Sequence, residues 1–268
     1  MASGVPIIKS EEEVALCRQS SLLVEQALAL VASRLKPGVT GLEVDAWVDT
    51  FIQDHQAKAS FKGFHGFPFS ICYSVNEQVV HGFPGKTPLK SGDIVTVDIG
   101  IQRKGYHGDF AYTFAIGEIS PQWAKLLSVT KECVYLGVAQ AQAGNYTGDI
   151  GFAVQKHAES NGMSVVRELV GHGLGANLHE APEVPNFGSR GRGVLLKSGM
   201  VLAVEPMINL GKRHVRVLSD QWTIVTRDKQ PSAHFEHNVV VRDGKFELLS
   251  SYAAIEEAIQ KNTNLTYI

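Results

Sequence analysis

The sequence contains little cysteine and almost no net charge. Its three cysteines, Cys17, Cys72 and Cys133, lie far apart and form no C-x-x-C pair. This spacing argues against a disulfide framework and a thiolate zinc site, and it favours a reducing compartment. The net charge of −2 creates no field that would attract nucleic acid or an anionic membrane. We therefore expect neither DNA nor a membrane as a partner.

Long apolar runs, a leader and linkers are also missing. The start, MASGVPIIKSEEE, lacks the basic-then-apolar order of a signal peptide, and no apolar run approaches the ~20 residues of a membrane span. These absences predict a cytoplasmic protein. Because no stretch has linker composition, we expect a single domain over residues 1–268, with no extra N-terminal domain.

Two helices and a strand are predicted in the first part of the chain. Ser10 and Glu13 form a capping box before a helical pattern that ends at Pro37 and Gly38. A second helical pattern runs from about residue 42 to residue 55. The stretch DIVTVDIGI, residues 93–101, is rich in β-branched residues and predicts a strand.

The chain repeats itself loosely. The segments SGDIVTVDIG and SGMVLAVEPM begin alike, and each follows a turn that leads into an amphipathic helix. The repeat pairs Asp98 with Glu205, and a later segment pairs Asp109 with Glu236. Chance similarity between strands is an alternative, since identities are few. Two halves, about 1–120 and 121–268, would bring the four carboxylates together around a pseudo-twofold axis.

The residues between Asp98 and Asp109 predict a hairpin. The sequence QRKG, residues 102–105, is typical of a type I turn between antiparallel strands. A turn centred there would make the two aspartates cross-strand neighbours, roughly 5 Å apart at Cβ. Like charges that close raise each other's pKa unless a cation lies between them. A solvent-exposed pair at a sheet edge is the alternative.

Four carboxylates and a histidine at strand ends are consistent with a metal site. Glu205 ends an apolar strand pattern, and Glu236 begins another. Each alone is more often part of a structural ion pair. Together the four negative charges of the carboxylates balance the positive charges of two divalent ions, and a neutral imidazole completes the ligand set without adding charge.

The segment GHGLGANLHEAP contains two histidines, His172 and His179. Its glycine spacing differs from G-x-G-x-x-G, and Pro182 and Pro185 leave no room for the helix that a dinucleotide site requires. The H-E-x-x-H pattern of zincins is also absent. Glycines beside His172 allow the backbone to approach a ligand or metal closely. A buried core histidine is the alternative at each position.

Seven motifs occur together in the sequence: NEQVVHGFP, VDIG, HGDF, GHGLG, LHEAP, AVEPM and FEHNVVV. On these motifs, in this order between about residues 8 and 250, the chain resembles the type I methionine aminopeptidases of the pita-bread fold. The resemblance implies an α+β fold with an antiparallel sheet core of pseudo-twofold symmetry and helices packed outside it.

The same resemblance implies a centre of two divalent ions, Co, Mn, Fe or Zn, with a water or hydroxide between them. Asp98 would bind one ion, His172 and Glu205 the other, and Asp109 and Glu236 would bridge both. Glu205 would also carry a proton during catalysis.

Further residues take roles by resemblance. His81 would contact the scissile amide nitrogen and His179 the carbonyl oxygen. A monovalent cation would be held by Asn76, Gln78 and Ser232. The methionine side chain would enter a pocket formed by Phe61, Phe64, Phe67, Cys72, Leu178 and Trp222. Here the chain departs from the family pattern, since aromatic Phe61 replaces a common cysteine and Leu178 a common phenylalanine.

The function implied is removal of the N-terminal methionine from nascent proteins, by a monomer that contacts the ribosome transiently. One alternative is an X-Pro aminopeptidase or prolidase of the same fold, but those enzymes usually carry an additional N-terminal domain. Another alternative is a scaffold of this fold that only binds protein or RNA. Such scaffolds have lost ligands, whereas all five are present here.

Overall fold

The computed structural model describes residues 5–268. Within these residues the chain forms five α-helices: α1 (Glu11–Arg34), α2 (Gly41–Asp54), α3 (Pro121–Val138), α4 (Thr147–Ser160) and α5 (Ala253–Lys261). The strands are β1 (Lys58–Ala59), β2 (Ile71–Val75), β3 (Gln78–Val80), β4 (Ile94–Arg103), β5 (Tyr106–Ile116), β6 (Ser164–Val165), β7 (Val170–Gly173), β8 (Glu180–Pro185), β9 (Val201–Val204), β10 (Met207–Asn209), β11 (Val215–Val217), β12 (Ile224–Thr226), β13 (Ser232–His234), β14 (His237–Arg242), β15 (Lys245–Leu248) and β16 (Leu265–Thr266).

The two predicted helices are confirmed. Ser10 caps α1 by accepting from the Glu13 amide, and the Glu13 carboxylate accepts from the Ser10 amide. Thr40 and Glu43 form the same reciprocal pair at the start of α2. These contacts satisfy N–H groups that the first helical turn leaves without a partner.

The strands form two five-stranded sheets and two three-stranded sheets. In the first large sheet the order is β1-β4-β5-β16, with β2 also paired to β4. In the second it is β15-β14-β9-β7-β8. The smaller sheets are β13-β10-β6 and β11-β12-β3. Neighbouring strands within these sheets run antiparallel. The division into two halves stays a prediction, and β16 pairs with β5 across its boundary.

The predicted type I turn is wrong. Arg103 pairs with Tyr106, so only Lys104 and Gly105 form the turn, and both have positive φ, at 50° and 85°. This conformation suits the right-handed twist of a two-residue hairpin, whereas a type I turn would splay the strands. The partner of each β4 residue consequently lies two positions further along β5 than predicted. Asp98 lies opposite Ala111 rather than Asp109, and the two aspartates become diagonal neighbours on one face.

Helix α1 packs across the first large sheet. A Cβ on Gly108 of β5 would collide with the backbone of Ser21, so the glycine allows this close approach. Among residues 5–268, α1 is also the one helix long and apolar enough to cross a membrane, and 56% of its most apolar window is buried inside the protein. Its apolar character is accounted for by its position in the core, against β4, β5 and α5.

Candidate metal centre

One cavity of about 380 Å³ contains almost every residue that the sequence singles out for function. The five predicted metal ligands line it: Asp98, Asp109, His172, Glu205 and Glu236. The two predicted substrate histidines and the six predicted pocket residues line it as well: His81, His179, Phe61, Phe64, Phe67, Cys72, Leu178 and Trp222. The structure therefore brings these residues together, and the role of each stays a prediction.

Both large sheets contribute to the ligand set. Asp98 lies on β4 and Asp109 on β5 of the first sheet. His172 lies on β7 of the second, Glu205 follows the end of β9, and Glu236 precedes β14. Positions on strands or directly beside them hold these side chains more precisely than mobile loops would.

The ligand atoms form two overlapping groups. Atoms of Asp98, Asp109 and Glu236 lie within 4.8 Å of one another, and so do atoms of His172, Glu205 and Glu236. The Nε2 atom of His172 is 3.5 Å from Oε1 of Glu205 and 3.9 Å from Oδ2 of Asp109. Two groups that share a carboxylate are the arrangement expected when a bridging ligand serves two ions.

Several of these oxygens are buried without a partner. Oδ1 of Asp98, Oδ1 of Asp109 and Oε1 of Glu236 have no hydrogen-bond donor within the described part of the chain. An isolated buried carboxylate is costly, and buried charges in proteins are paired or bind metals. The donor set and its orphaned oxygens therefore fit divalent cations.

Burial and crowding alter the protonation of these carboxyls. Burial raises the pKa of Asp98 to about 7. Burial raises the pKa of Asp109 and that of Glu205 well above their ordinary values, and the charge of the neighbouring Asp98 carboxyl is the second cause in both. Burial also raises the pKa of Glu236, and the Asp109 carboxyl adds the largest contribution from a neighbouring charge. Without a cation, the site retains protons near neutral pH.

His172 is held in the tautomer that a metal ligand requires. Burial lowers the pKa of its imidazole to about 4, so the ring is neutral. Its Nδ1 lies 2.9 Å from the carbonyl oxygen of Gly173, which can only accept. Nδ1 therefore carries the proton, and the lone pair of Nε2 faces the carboxylates.

The two other predicted histidines lie beside this group. The rings of His179 and His172 are 4.2 Å apart between centroids, and His179 also meets Phe64 edge to face at 5.1 Å. One atom set within 4.8 Å joins His179 to Asp109 and His172. Burial lowers the pKa of His179 to about 3 and that of His81 to about 4. Both rings are therefore neutral donors at the cavity surface.

Aromatic rings form the apolar end of the cavity. Phe67 packs edge to face against Trp222, with centroids 5.1 Å apart, and against Phe83 at 5.4 Å. Cys72 of β2 lies directly opposite Asp98 of β4, where the apolar wall meets the carboxylates. A side chain in this pocket would therefore place its backbone next to the metal ligands.

Sequence reasoning missed the residues that support the ligands. The side-chain oxygen of Asn238 accepts from the Asp109 amide at 2.9 Å, and its amide group donates to the Asp109 carbonyl at 2.5 Å. The Tyr252 hydroxyl accepts from the Glu236 amide at 2.9 Å and donates to the Glu236 carbonyl at 2.6 Å. Asn238 was detectable as a polar residue two positions after Glu236, but no local pattern connects Tyr252 to the site.

The residues predicted for a monovalent cation lie outside the cavity lining. The Ser232 amide donates to the Asn76 carbonyl at 3.0 Å, which places these two residues together. The side-chain oxygen of Gln78 accepts from the Val75 amide at 2.9 Å. The cation site stays a prediction.

Replacing Tyr252 by Phe should destabilise the protein. The change removes the donor of the buried Glu236 carbonyl and leaves the Glu236 amide with only the Ala111 carbonyl, at 3.2 Å, as its acceptor. An unsatisfied buried polar group costs about 1–3 kcal/mol. The free energy of unfolding in urea measures this. Tyr267→Phe removes an exposed hydroxyl and should change it by less than about 0.5 kcal/mol. Equal effects of the two substitutions would contradict the assigned role of the Tyr252 hydroxyl.

Binding of divalent ions should release protons, because ligands with raised pKa must ionise. At pH 6 we expect about one proton or more per chain, and fewer at pH 9. The raised pKa of Asp98, about 7, means that the folded, metal-free state binds a proton more tightly than the unfolded state does. The free energy of unfolding of the metal-free protein should therefore fall as the pH rises from about 4 to 7. Calorimetry in buffers of different ionisation enthalpy measures the release. Binding without proton release at pH 6 would contradict it.

Known proteins are similar to this chain in sequence and in fold. The model of metallopeptidase family M24 matches residues 15–243. A methionine aminopeptidase of Clostridium perfringens is 46% identical over 244 residues, which are 91% of this chain and 98% of the relative. The crystal structure of methionine aminopeptidase from Rickettsia prowazekii superposes with a TM-score of 0.91 at 36% identity, covering 92% of this chain and all of the other.

A more distant structure shares the fold alone. Prolidase from Pyrococcus furiosus superposes with a TM-score of 0.73 at 19% identity, and the match covers 92% of this chain and 66% of the prolidase. The predicted pita-bread fold, with antiparallel sheets and outer helices, is confirmed by these likenesses. The match of the family model and the identity to curated relatives place the chain in one family: it belongs to the metallopeptidases of family M24.

Proposed function

We propose that the protein is a methionine aminopeptidase that removes the N-terminal methionine of nascent proteins in the cytoplasm. One observation carries the proposal: a set of buried ligands for divalent ions and an apolar pocket share one cavity. Membership of a metallopeptidase family supports the use of divalent metal, and relatives named methionine aminopeptidase match nearly the full chain.

The proposed centre holds two divalent ions, of Co, Mn, Fe or Zn. Asp98 would hold one ion, His172 and Glu205 would hold the other, and Asp109 and Glu236 would be shared by both. The overlap of the two ligand groups at Glu236 and the orphaned carboxylate oxygens support this assignment. When bound, such ions lower the pKa of a coordinated water and polarise the scissile carbonyl.

The chain's own residues then act on the peptide. The neutral ring of His179 donates a hydrogen bond to the carbonyl oxygen of the scissile peptide, where negative charge develops. His81 contacts the scissile amide nitrogen. Glu205 accepts a proton from the attacking water and donates it to the nitrogen of the leaving amine. Positions of these groups around one cavity support the roles, and burial keeps both imidazoles neutral.

The pocket suits methionine, and other binding features complete the proposal. Its lining is apolar and aromatic, which favours a flexible, unbranched thioether.

We also infer a monovalent cation at Asn76, Gln78 and Ser232, a monomeric catalytic domain of two related halves, and transient contact with the ribosome. Two other functions are tested alongside: a proline-directed peptidase, whose fold is shared by distant neighbours, and a binding scaffold without activity.

Metal and substrate dependence can be measured together. We expect the metal-free protein to leave the peptide Met-Ala-Ser intact, and added Mn, Fe, Co or Zn to restore release of methionine. Preferred turnover of X-Pro substrates would instead favour the proline-directed activity. A scaffold would bind less than about one ion per chain and cleave neither peptide. Hydrolysis that survives chelation would overturn the proposal.

Replacing His179 by Ala separates a substrate contact from a metal ligand. We expect kcat to fall by about 10²–10³, the usual effect of losing one donor to a developing oxyanion, while the number of bound ions stays unchanged. His65→Ala is the matched control, because His65 lines the same cavity without a proposed role. Loss of a bound ion in the His179 variant would mean that this residue is a ligand.

A further inference from the structure

His234 is a buried histidine next to the metal ligands that no role described above uses. It ends β13, two residues before Glu236, and only 1% of the residue is exposed. Its Nε2 atom is 3.8 Å from Oε2 of Glu205 and 3.8 Å from Oε2 of Glu236. Neither ring nitrogen has a hydrogen-bond partner within residues 5–268.

The backbone of His234 is held firmly. Its amide donates to the Thr113 hydroxyl at 3.1 Å, and its carbonyl accepts from the same hydroxyl at 2.6 Å. His234 also pairs with Met207 across β10 and β13. The ring therefore reaches the carboxylates from a fixed position.

The surroundings distinguish His234 from His172. A carbonyl at Nδ1 of His172 fixes the proton there and leaves Nε2 free to bind metal. No acceptor faces Nδ1 of His234, whereas two carboxylates face its Nε2. The favoured tautomer thus carries its proton on Nε2, and this nitrogen is a donor rather than a ligand.

Glu205 lies between the two imidazoles. Its Oε1 faces His172 at 3.5 Å, and its Oε2 faces His234 at 3.8 Å. A side-chain rotation that shortens the second distance by less than about 1 Å produces an ordinary hydrogen bond. The carboxylate would then be oriented from both sides.

We propose that His234 is a positioning residue of the metal centre: its Nε2–H donates to the Glu205 and Glu236 carboxylates while they hold the ion. This inference rests on the proposed function, because it assigns a partner to ligands of that centre. His234 touches neither substrate nor metal. Its effect reaches the reaction through Glu205, which is both ligand and proton carrier.

Two substitutions test the donor. His234→Leu keeps most of the side-chain volume and removes both nitrogens, whereas His234→Gln retains a donor on a side chain of similar reach. Calorimetric titration of the metal-free full chain with Co²⁺ should give 10–100-fold weaker binding for the Leu variant, the usual effect of losing a hydrogen bond to a ligand. The Gln variant should stay within about fivefold of the parent.

A measurement on the unaltered protein keeps the test independent of how the variants fold. In the Zn²⁺-loaded protein labelled with ¹⁵N-histidine, Nε2 of His234 should carry a proton in NMR spectra. A metal-bound, unprotonated Nε2 would overturn the inference, and so would Co²⁺ affinity of the Leu variant within twofold of the parent. A parent that binds no divalent ion would overturn the proposed function as well. A parent with metal-dependent methionine release and an unaffected Leu variant would overturn this inference alone.

Discussion

The structure is organised around the mutual repulsion of four buried carboxylates. Asp98, Asp109, Glu205 and Glu236 converge in one cavity, where burial raises the pKa of each and neighbouring carboxylates raise the pKa of Asp109, Glu205 and Glu236 further. Such a cluster is stable only when it is protonated or neutralised by cations. The fold must therefore keep these four side chains buried and close together despite their mutual repulsion. Residues outside the cluster have to hold them in place.

That support comes from elements distant in sequence. Asn238 of the second large sheet hydrogen-bonds both backbone groups of Asp109 on the first, and also accepts from Ser21 of α1. Tyr252, just before α5, does the same for Glu236. Asp109 and Glu236 are thus fixed through their peptide groups, so their carboxylate oxygens stay free for a cation.

The sequence predicts the chemistry of this site better than its geometry. The capping box at Ser10 predicted the first helix and the helical pattern after residue 42 predicted the second, and the strand-end carboxylates with His172 and His179 identified residues that line the cavity. The turn after β4 was mispredicted because the positive φ of Lys104 leaves no mark in a QRKG sequence. Tyr252 and the tautomer of His172 could not be predicted, since both depend on contacts that only tertiary packing creates.

The apolar pocket and the candidate metal centre meet at strand β4: pocket residues pack against the strand that carries Asp98. A Cβ on Gly100 would lie 2.8 Å from the ring of Phe61, so this glycine makes room for the aromatic wall. Gly100 pairs with Asp109, and Cys72 of the pocket pairs with Asp98. A larger side chain that displaced the aromatic residues would therefore also displace strand β4, which carries Asp98. Because interiors are densely packed, substrate preference and metal geometry in this protein are expected to change together.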